Sequence, residues 1–137
     1  MAETIQEISA AYKPNPVQYA YHASPALVRG MFGGSALGKS RALGVEAMLQ
    51  AVEYPNNLVV IARDVLADLK KTTKVTFLNE VMPPELLACK EVEWRESDQR
   101  LIFKPNRSEI HFMGLDEHGR LGSLNCGAWF IDEAQLL

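Results

Sequence analysis

Gly33-Gly34-Ser35-Ala36-Leu37-Gly38-Lys39-Ser40 is the stretch that decides how this chain is read. It matches the pattern G-x-x-x-x-G-K-[ST] without a departure. The spacing has a physical cause. A loop that wraps a phosphate must turn its backbone N–H groups inward, in conformations that glycine adopts without strain. Gly38 stands directly before a helix-forming segment, where free N–H groups and the helix dipole favour an anion. The stretch therefore predicts a site for the phosphates of ATP. Lys39 reaches the β- and γ-phosphates, and the Ser40 hydroxyl is placed to ligate Mg²⁺.

Both flanks support that reading. Ahead of the loop, Leu27-Val28-Arg29-Gly30-Met31-Phe32 reads as a strand. Behind it, Lys39 to Glu53 reads as a helix, with Leu43, Ala47 and Ala51 on one stripe and Tyr54-Pro55-Asn56-Asn57 as its stop. Leu58-Val59-Val60-Ile61-Ala62 is a continuous apolar, β-branched run, the pattern of a strand buried on both faces. Asp64 is placed to cap a following helix that runs to about Asn79. After Met82-Pro83-Pro84 come short strand-like pieces at Val92 to Arg95, Arg100 to Phe103 and Glu109 to Leu115, with a turn at Pro105-Asn106-Arg107-Ser108. Residues 3–12 read as a short helix ended by Pro14 and Pro16, and Val17 to Ala23 as another helical turn.

The last strand, Gly127-Ala128-Trp129-Phe130-Ile131, ends in Asp132-Glu133. An apolar strand ending in two acids delivers carboxylates to the carboxyl edge of an open sheet, where such folds bind ligands. Asp132 is expected in the Mg²⁺ shell and Glu133 as the group that polarises the attacking water. A glutamate beside the aspartate favours ATP hydrolysis over simple nucleotide binding. The alternation of strands and helices argues for an α/β fold with a mostly parallel central sheet and an antiparallel hairpin insertion. This is the three-layer P-loop NTPase plan, RecA-like or ASCE. One domain, 1–137, is expected, with residues 1–25 as the adenine-side segment and 26–137 as the nucleotide-binding core. A sheet of this kind normally has further strands, so the chain reads as the N-terminal piece of something longer.

Gln18 precedes the loop, within Asn15-Pro16-Val17-Gln18. A glutamine amide offers a donor and an acceptor, the complement of adenine N7 and N6. Gln18 is thus a candidate base reader that prefers ATP to GTP, with Tyr12, Tyr19 or Tyr21 stacking on the base. Arg41, just past the lysine, and Arg63, after the second strand, are alternative candidates for neutralising phosphate charge.

The composition sets bounds. The 137 residues suffice for one domain with a sizeable core, and 47% hydrophobic with 23% charged residues is ordinary for a globular protein. A formal net charge of −3 gives no support for a whole-surface nucleic-acid binder. Cys89 and Cys126 form no CxxC pair, and His22, His111 and His118 are scattered, so no zinc site is expected. Neither a signal peptide nor a bilayer-length apolar stretch is present in the sequence, which points to the cytoplasm.

These residues resemble the large terminase subunits of tailed phages, in their N-terminal ATPase region. The likeness runs through Pro14-Asn15-Pro16-Val17-Gln18, residues 33–40, Val59-Val60-Ile61-Ala62-Arg63 and Trp129-Phe130-Ile131-Asp132-Glu133-Ala134. More particular is the hairpin from Leu101 to Asp116, in which Leu101 to Asn106 leads to Ser108 to Asp116 and ends in Gly114-Leu115-Asp116. The resemblance implies an ATPase motor that packs double-stranded viral DNA into a procapsid in the host cytoplasm. It implies a homo-oligomeric ring on a portal protein, a small terminase subunit as partner, and an adenine-reading glutamine at the place of Gln18. The family also has a C-terminal nuclease domain whose metal-binding acids are not in this chain. Many members carry a basic residue inside the phosphate loop, where this chain has Ser35-Ala36-Leu37, so the arginine assignment stays open. Two other readings remain: a helicase-like DNA-dependent ATPase, and a nucleotide-binding fragment without turnover of its own.

Overall fold

The structure, a computed structural model, describes residues 12–34 and 37–137. The helix expected over 3–12 lies outside the described residues except for Tyr12, and so do Ser35 and Ala36 of the phosphate loop.

Helix α1, Pro16–Ala23, begins at a capping box. The Asn15 side chain accepts from the Gln18 N–H, the Gln18 side chain accepts from the Asn15 N–H, and Pro16 takes a first-turn position where no N–H is needed. Helix α2, Lys39–Glu53, starts after Gly38, whose φ of 69° is left-handed backbone suited to glycine. Ala42, Val45, Ala47, Met48, Ala51 and Val52 of α2 are all buried.

Five strands form one sheet: β1 (Leu58–Arg63), β2 (Val92–Arg95), β3 (Arg100–Phe103), β4 (Ser108–Gly114) and β5 (Ala128–Ile131). Their order is β2-β3-β4-β1-β5. Strand β1 is parallel to both β4 and β5, and β2-β3-β4 is an antiparallel meander. The expected mostly parallel core with an antiparallel insertion is therefore present. Val59, Ile61, Ile110, Phe112 and Phe130 share one face and pack against α2, Leu69, Phe77 and Val81. Phe77 and Phe112 meet edge to face at 5.1 Å. The opposite face, with Val60, Ala62 and Met113, is covered by residues 115–126, which include the short helix α6 (His118–Leu121).

Three expectations fail. Residues 27–32 form no strand. Leu27, Val28 and Phe32 are 101%, 88% and 91% exposed. Arg29 reaches Glu46 Oε1 at 2.9 Å and the Tyr21 carbonyl at 3.1 Å, which ties the segment to α1 and α2 and away from a ladder. Strand β5 accordingly pairs only with β1 among the described residues.

The single helix expected from Asp64 to Asn79 is three pieces: α3 (Leu66–Lys71), α4 (Thr73–Thr76) and a π-helical turn at Phe77–Val81. Thr72, at φ −122° and ψ −73°, breaks it. Threonine and valine at 72, 73, 75 and 76 are poor helix formers, and the hydroxyls of Thr72 and Thr73 have partners outside the helix. Asp64 does not provide the expected cap to the helix. It accepts from the Val65 N–H, while Asp116 Oδ1 accepts from Leu66 N–H at 3.2 Å. A short helix, α5 (Pro84–Ala88), precedes the meander.

Candidate functional site

The parallel strands β1, β4 and β5 end on the same edge of the sheet. Gly114-Leu115-Asp116 locks that edge. Leu115 N–H donates to Arg63 O at 2.8 Å and Asp116 N–H to Asp64 O at 3.1 Å. Gly114 permits the closeness, because a Cβ there would overlap the Leu66 backbone. Asp132 N–H still donates to Ala62 O at 2.9 Å, so its backbone is fixed by the ladder as its side chain leaves the sheet.

The two sequence motifs meet here. Ser40 Oγ donates to Asp132 Oδ1 and Oδ2, both at 3.0 Å. Thr73 Oγ1 donates to Oδ2 at 2.7 Å. Asp132 is 7% exposed, so these hydroxyls do most of the work of satisfying its carboxylate. Nothing in the sequence pattern marks Thr73.

The Lys39 ammonium donates to the carbonyls of Gly33, at 2.8 Å, and Gly34, at 2.6 Å, and so folds along its own loop. Gly33 has φ 145° and Gly38 φ 69°, both in the range that glycine tolerates. Glu133 has φ 56°, left-handed backbone in a residue with a Cβ, and its carboxylate accepts from the Gln135 amide.

Gln18 is 6% exposed, and both ends of its amide are engaged. Oε1 accepts from Asn15 N–H at 2.9 Å, and Nε2 donates to Gly38 O at 2.9 Å. The Asn15 amide donates to Leu37 O at 3.4 Å. Residues Asn15 and Gln18 thus brace the end of the phosphate loop. The arginines lie to the sides. Arg41 sits over the Tyr12 ring at 5.5 Å, and Arg63 Nη1 donates to Thr72 Oγ1 at 2.7 Å. Tyr21 carries Arg29 on its face at 5.1 Å, and Tyr19 is exposed. A cleft of about 580 Å³ lies between α1 and residues 27–32, lined by Pro16, Val17, Ala20, Tyr21, Arg29 and Phe32 among others; none of 33–40 lines it.

The donor set fits Mg²⁺ bound together with a nucleotide. Among the described residues no three His, Cys, Asp or Glu side chains form a metal cluster. One carboxylate and one hydroxyl are what Mg²⁺ uses when phosphates and water fill its other positions.

No protein-family model matches this sequence, and no curated protein does. The structure does have a match. It superposes on the ATPase domain of the large terminase of Thermus phage P74-26 with a TM-score of 0.74 and 25% sequence identity, over 93% of this chain. The chain resembles a phage large-terminase ATPase domain. It spans 56% of the length of that terminase structure. The likeness read from the motifs thus extends to the terminase-like arrangement of the sheet.

Proposed function

We propose that the chain binds ATP with Mg²⁺ at the carboxyl edge of its sheet and forms the nucleotide-binding part of a terminase-type packaging motor. The observation that carries this reading is the contact between Ser40 and Asp132, 92 residues apart, at the start of the helix that follows the phosphate loop. Two motifs with separate reasons to bind Mg·ATP converge on one point.

In this reading Lys39 exchanges the carbonyls of Gly33 and Gly34 for the β- and γ-phosphate oxygens, and the first N–H groups of α2 receive the phosphates. Ser40 and Asp132 would hold Mg²⁺. Bound there, the ion would supply charge neutralisation at the phosphate oxygens. Glu133, on the turn beside Asp132, orients a water and takes its proton as it attacks the γ-phosphorus, while the bond from that phosphorus to the bridging oxygen breaks and ADP leaves with the electron pair. Double-stranded viral DNA, a portal protein, a small terminase subunit, a homo-oligomeric ring and the host cytoplasm belong to this proposal. The terminase-like fold supports them over a helicase. Among the described residues no helix is long and apolar enough to cross a membrane.

Titration of a fluorescent ATP analogue with Mg²⁺ tests the proposal. Lys39→Ala removes the only positive side chain between residues 33 and 40 and is expected to weaken binding at least about tenfold, the loss of one charge-assisted hydrogen bond. Equal affinity in the two proteins would remove the assignment.

A further inference from the structure

The Asp132 carboxylate is held by a residue that belongs to neither nucleotide motif. Thr73 is 4% exposed, and its hydroxyl reaches Oδ2 at 2.7 Å. This is the shortest of the three hydrogen bonds that the carboxylate accepts from side chains; those from Ser40 are both 3.0 Å. Ser40 has one hydroxyl proton to divide between two oxygens, whereas Thr73 directs its proton to one.

The backbone is built around this bond. Thr72 breaks the helix just before Thr73. Its own hydroxyl donates to Asp68 O at 2.7 Å and accepts from Arg63 Nη1 at 2.7 Å. Two consecutive threonines therefore divide the work. Thr72 anchors the break to α3 and to the end of β1, and Thr73 reaches the end of β5.

We propose that Thr73 is a positioning residue for the metal site: it fixes Asp132 Oδ2 so that the carboxylate keeps its orientation toward Mg²⁺ as Ser40 turns its oxygen to the ion. The proposal rests on the Mg·ATP reading above. The chemistry suits the task. A hydroxyl orients a carboxylate without neutralising it, so the full negative charge stays available to the cation; a lysine or arginine in the same place would compete with the metal. Groups that orient metal-binding carboxylates in this way typically change metal affinity by about 10–100-fold when removed.

The test uses Thr73→Val, which keeps the shape and removes the hydroxyl, and Thr73→Ser, which keeps the hydroxyl. Binding of a fluorescent ATP analogue is measured over a Mg²⁺ series and in EDTA. Thr73→Val is expected to need about tenfold more Mg²⁺ for half-maximal binding, with unchanged affinity in EDTA. Thr73→Ser is expected to track the wild type. A Mg²⁺ requirement unchanged in Thr73→Val overturns the role of Thr73 and leaves the nucleotide site standing. A wild type whose binding ignores Mg²⁺ overturns the site reading and this proposal with it. Circular dichroism checks folding, and Thr73→Ala, with room for a water, replaces a valine variant that does not fold. If both hydroxyl-free variants unfold and the serine variant folds, Thr73 serves the fold alone and the proposal fails.

Discussion

Ser40 and Asp132 are joined across 92 residues of chain, the serine hydroxyl donating to both carboxylate oxygens at 3.0 Å. The bond links the first turn of α2 to the end of β5. Residues that act as one unit on one ion do not contribute additively. Ser40→Ala and Asp132→Asn are each expected to raise the Mg²⁺ needed for nucleotide binding about tenfold, and the double variant to lose little more than the worse single one. Analogue binding over a Mg²⁺ series, done as a double-mutant cycle, measures this. Fully additive losses would mean that the two side chains serve separate purposes.

Glu133 combines two properties that substitution can separate. Its carboxylate is the proposed base, and its backbone has φ 56°. Glu133→Gln keeps the backbone conformation and removes the base. In a complete, assembled motor it is expected to bind ATP and lose about 10²–10⁴-fold in hydrolysis. Glu133→Gly removes the base and also relieves about 1–2 kcal/mol of left-handed strain, less the extra backbone entropy of glycine. It is expected to be as inactive as Glu133→Gln and more stable by up to about 1 kcal/mol in urea. A glycine variant less stable than the glutamine one would show that the turn is not strained.

Much of this architecture is legible in the sequence. The ends of α2, β2 and β3 fall where the apolar periods and turn residues put them, and β4 is displaced by one residue, at 108–114 against an expected 109–115. What fails is what depends on distant partners. Residues 27–32 have the composition of a strand, but a strand is defined by its ladder, and Arg29 has its partners on the helices. The helix break at Thr72 is encoded by weak helix formers and made firm by bonds to Arg63 and Asp132. At the site, the glycines, Lys39 and Ser40 are readable because phosphate binding demands that spacing. Thr73 is not, because a lone hydroxyl closing on a carboxylate 59 residues away leaves no local pattern.

Glu46 ties the N-terminal helix to α2. Its carboxylate meets His22 Nδ1 at 2.6 Å and Arg29 Nη2 at 2.9 Å, while Tyr12 meets the other nitrogen of His22 at 3.1 Å. Burial pushes the Glu46 carboxyl up, but hydrogen bonds from His22 and Arg29 outweigh it and hold it below its usual value of 4.5. A carboxylate with a depressed value in the folded state stabilises the fold above pH 4.5, and this contribution is lost as the pH falls through the lower folded value. Glu46→Gln is expected to cost about 1.5–3 kcal/mol at pH 7 and progressively less as the pH falls below 4.5 toward the lowered folded-state value. Urea unfolding over a pH series from 7 downward measures it. A loss that does not change across the acid range would place the stabilisation in packing.

Gln18 is where the site's geometry makes a sharper statement than the residue type. A glutamine free to read adenine would discriminate ATP from GTP. The side chain here is engaged at both ends, to Asn15 N–H and to Gly38 O, each at 2.9 Å. Gly38 is the left-handed residue directly before α2, and its carbonyl also receives the Ala42 N–H at 3.0 Å. The amide therefore sets the position of the last loop residue before Lys39. Loss of that brace acts on phosphate binding, which ATP and GTP share. Gln18→Ala is thus expected to weaken both nucleotides alike, by about five- to tenfold for one buried hydrogen bond, with their ratio unchanged. Gln18→Glu replaces the donor with an acceptor facing the Gly38 carbonyl and is expected to be worse than alanine. Competition binding with both nucleotides decides between the two roles. A ratio that narrows in Gln18→Ala, with GTP affinity held, would make Gln18 a base reader that leaves Gly38 when adenine arrives.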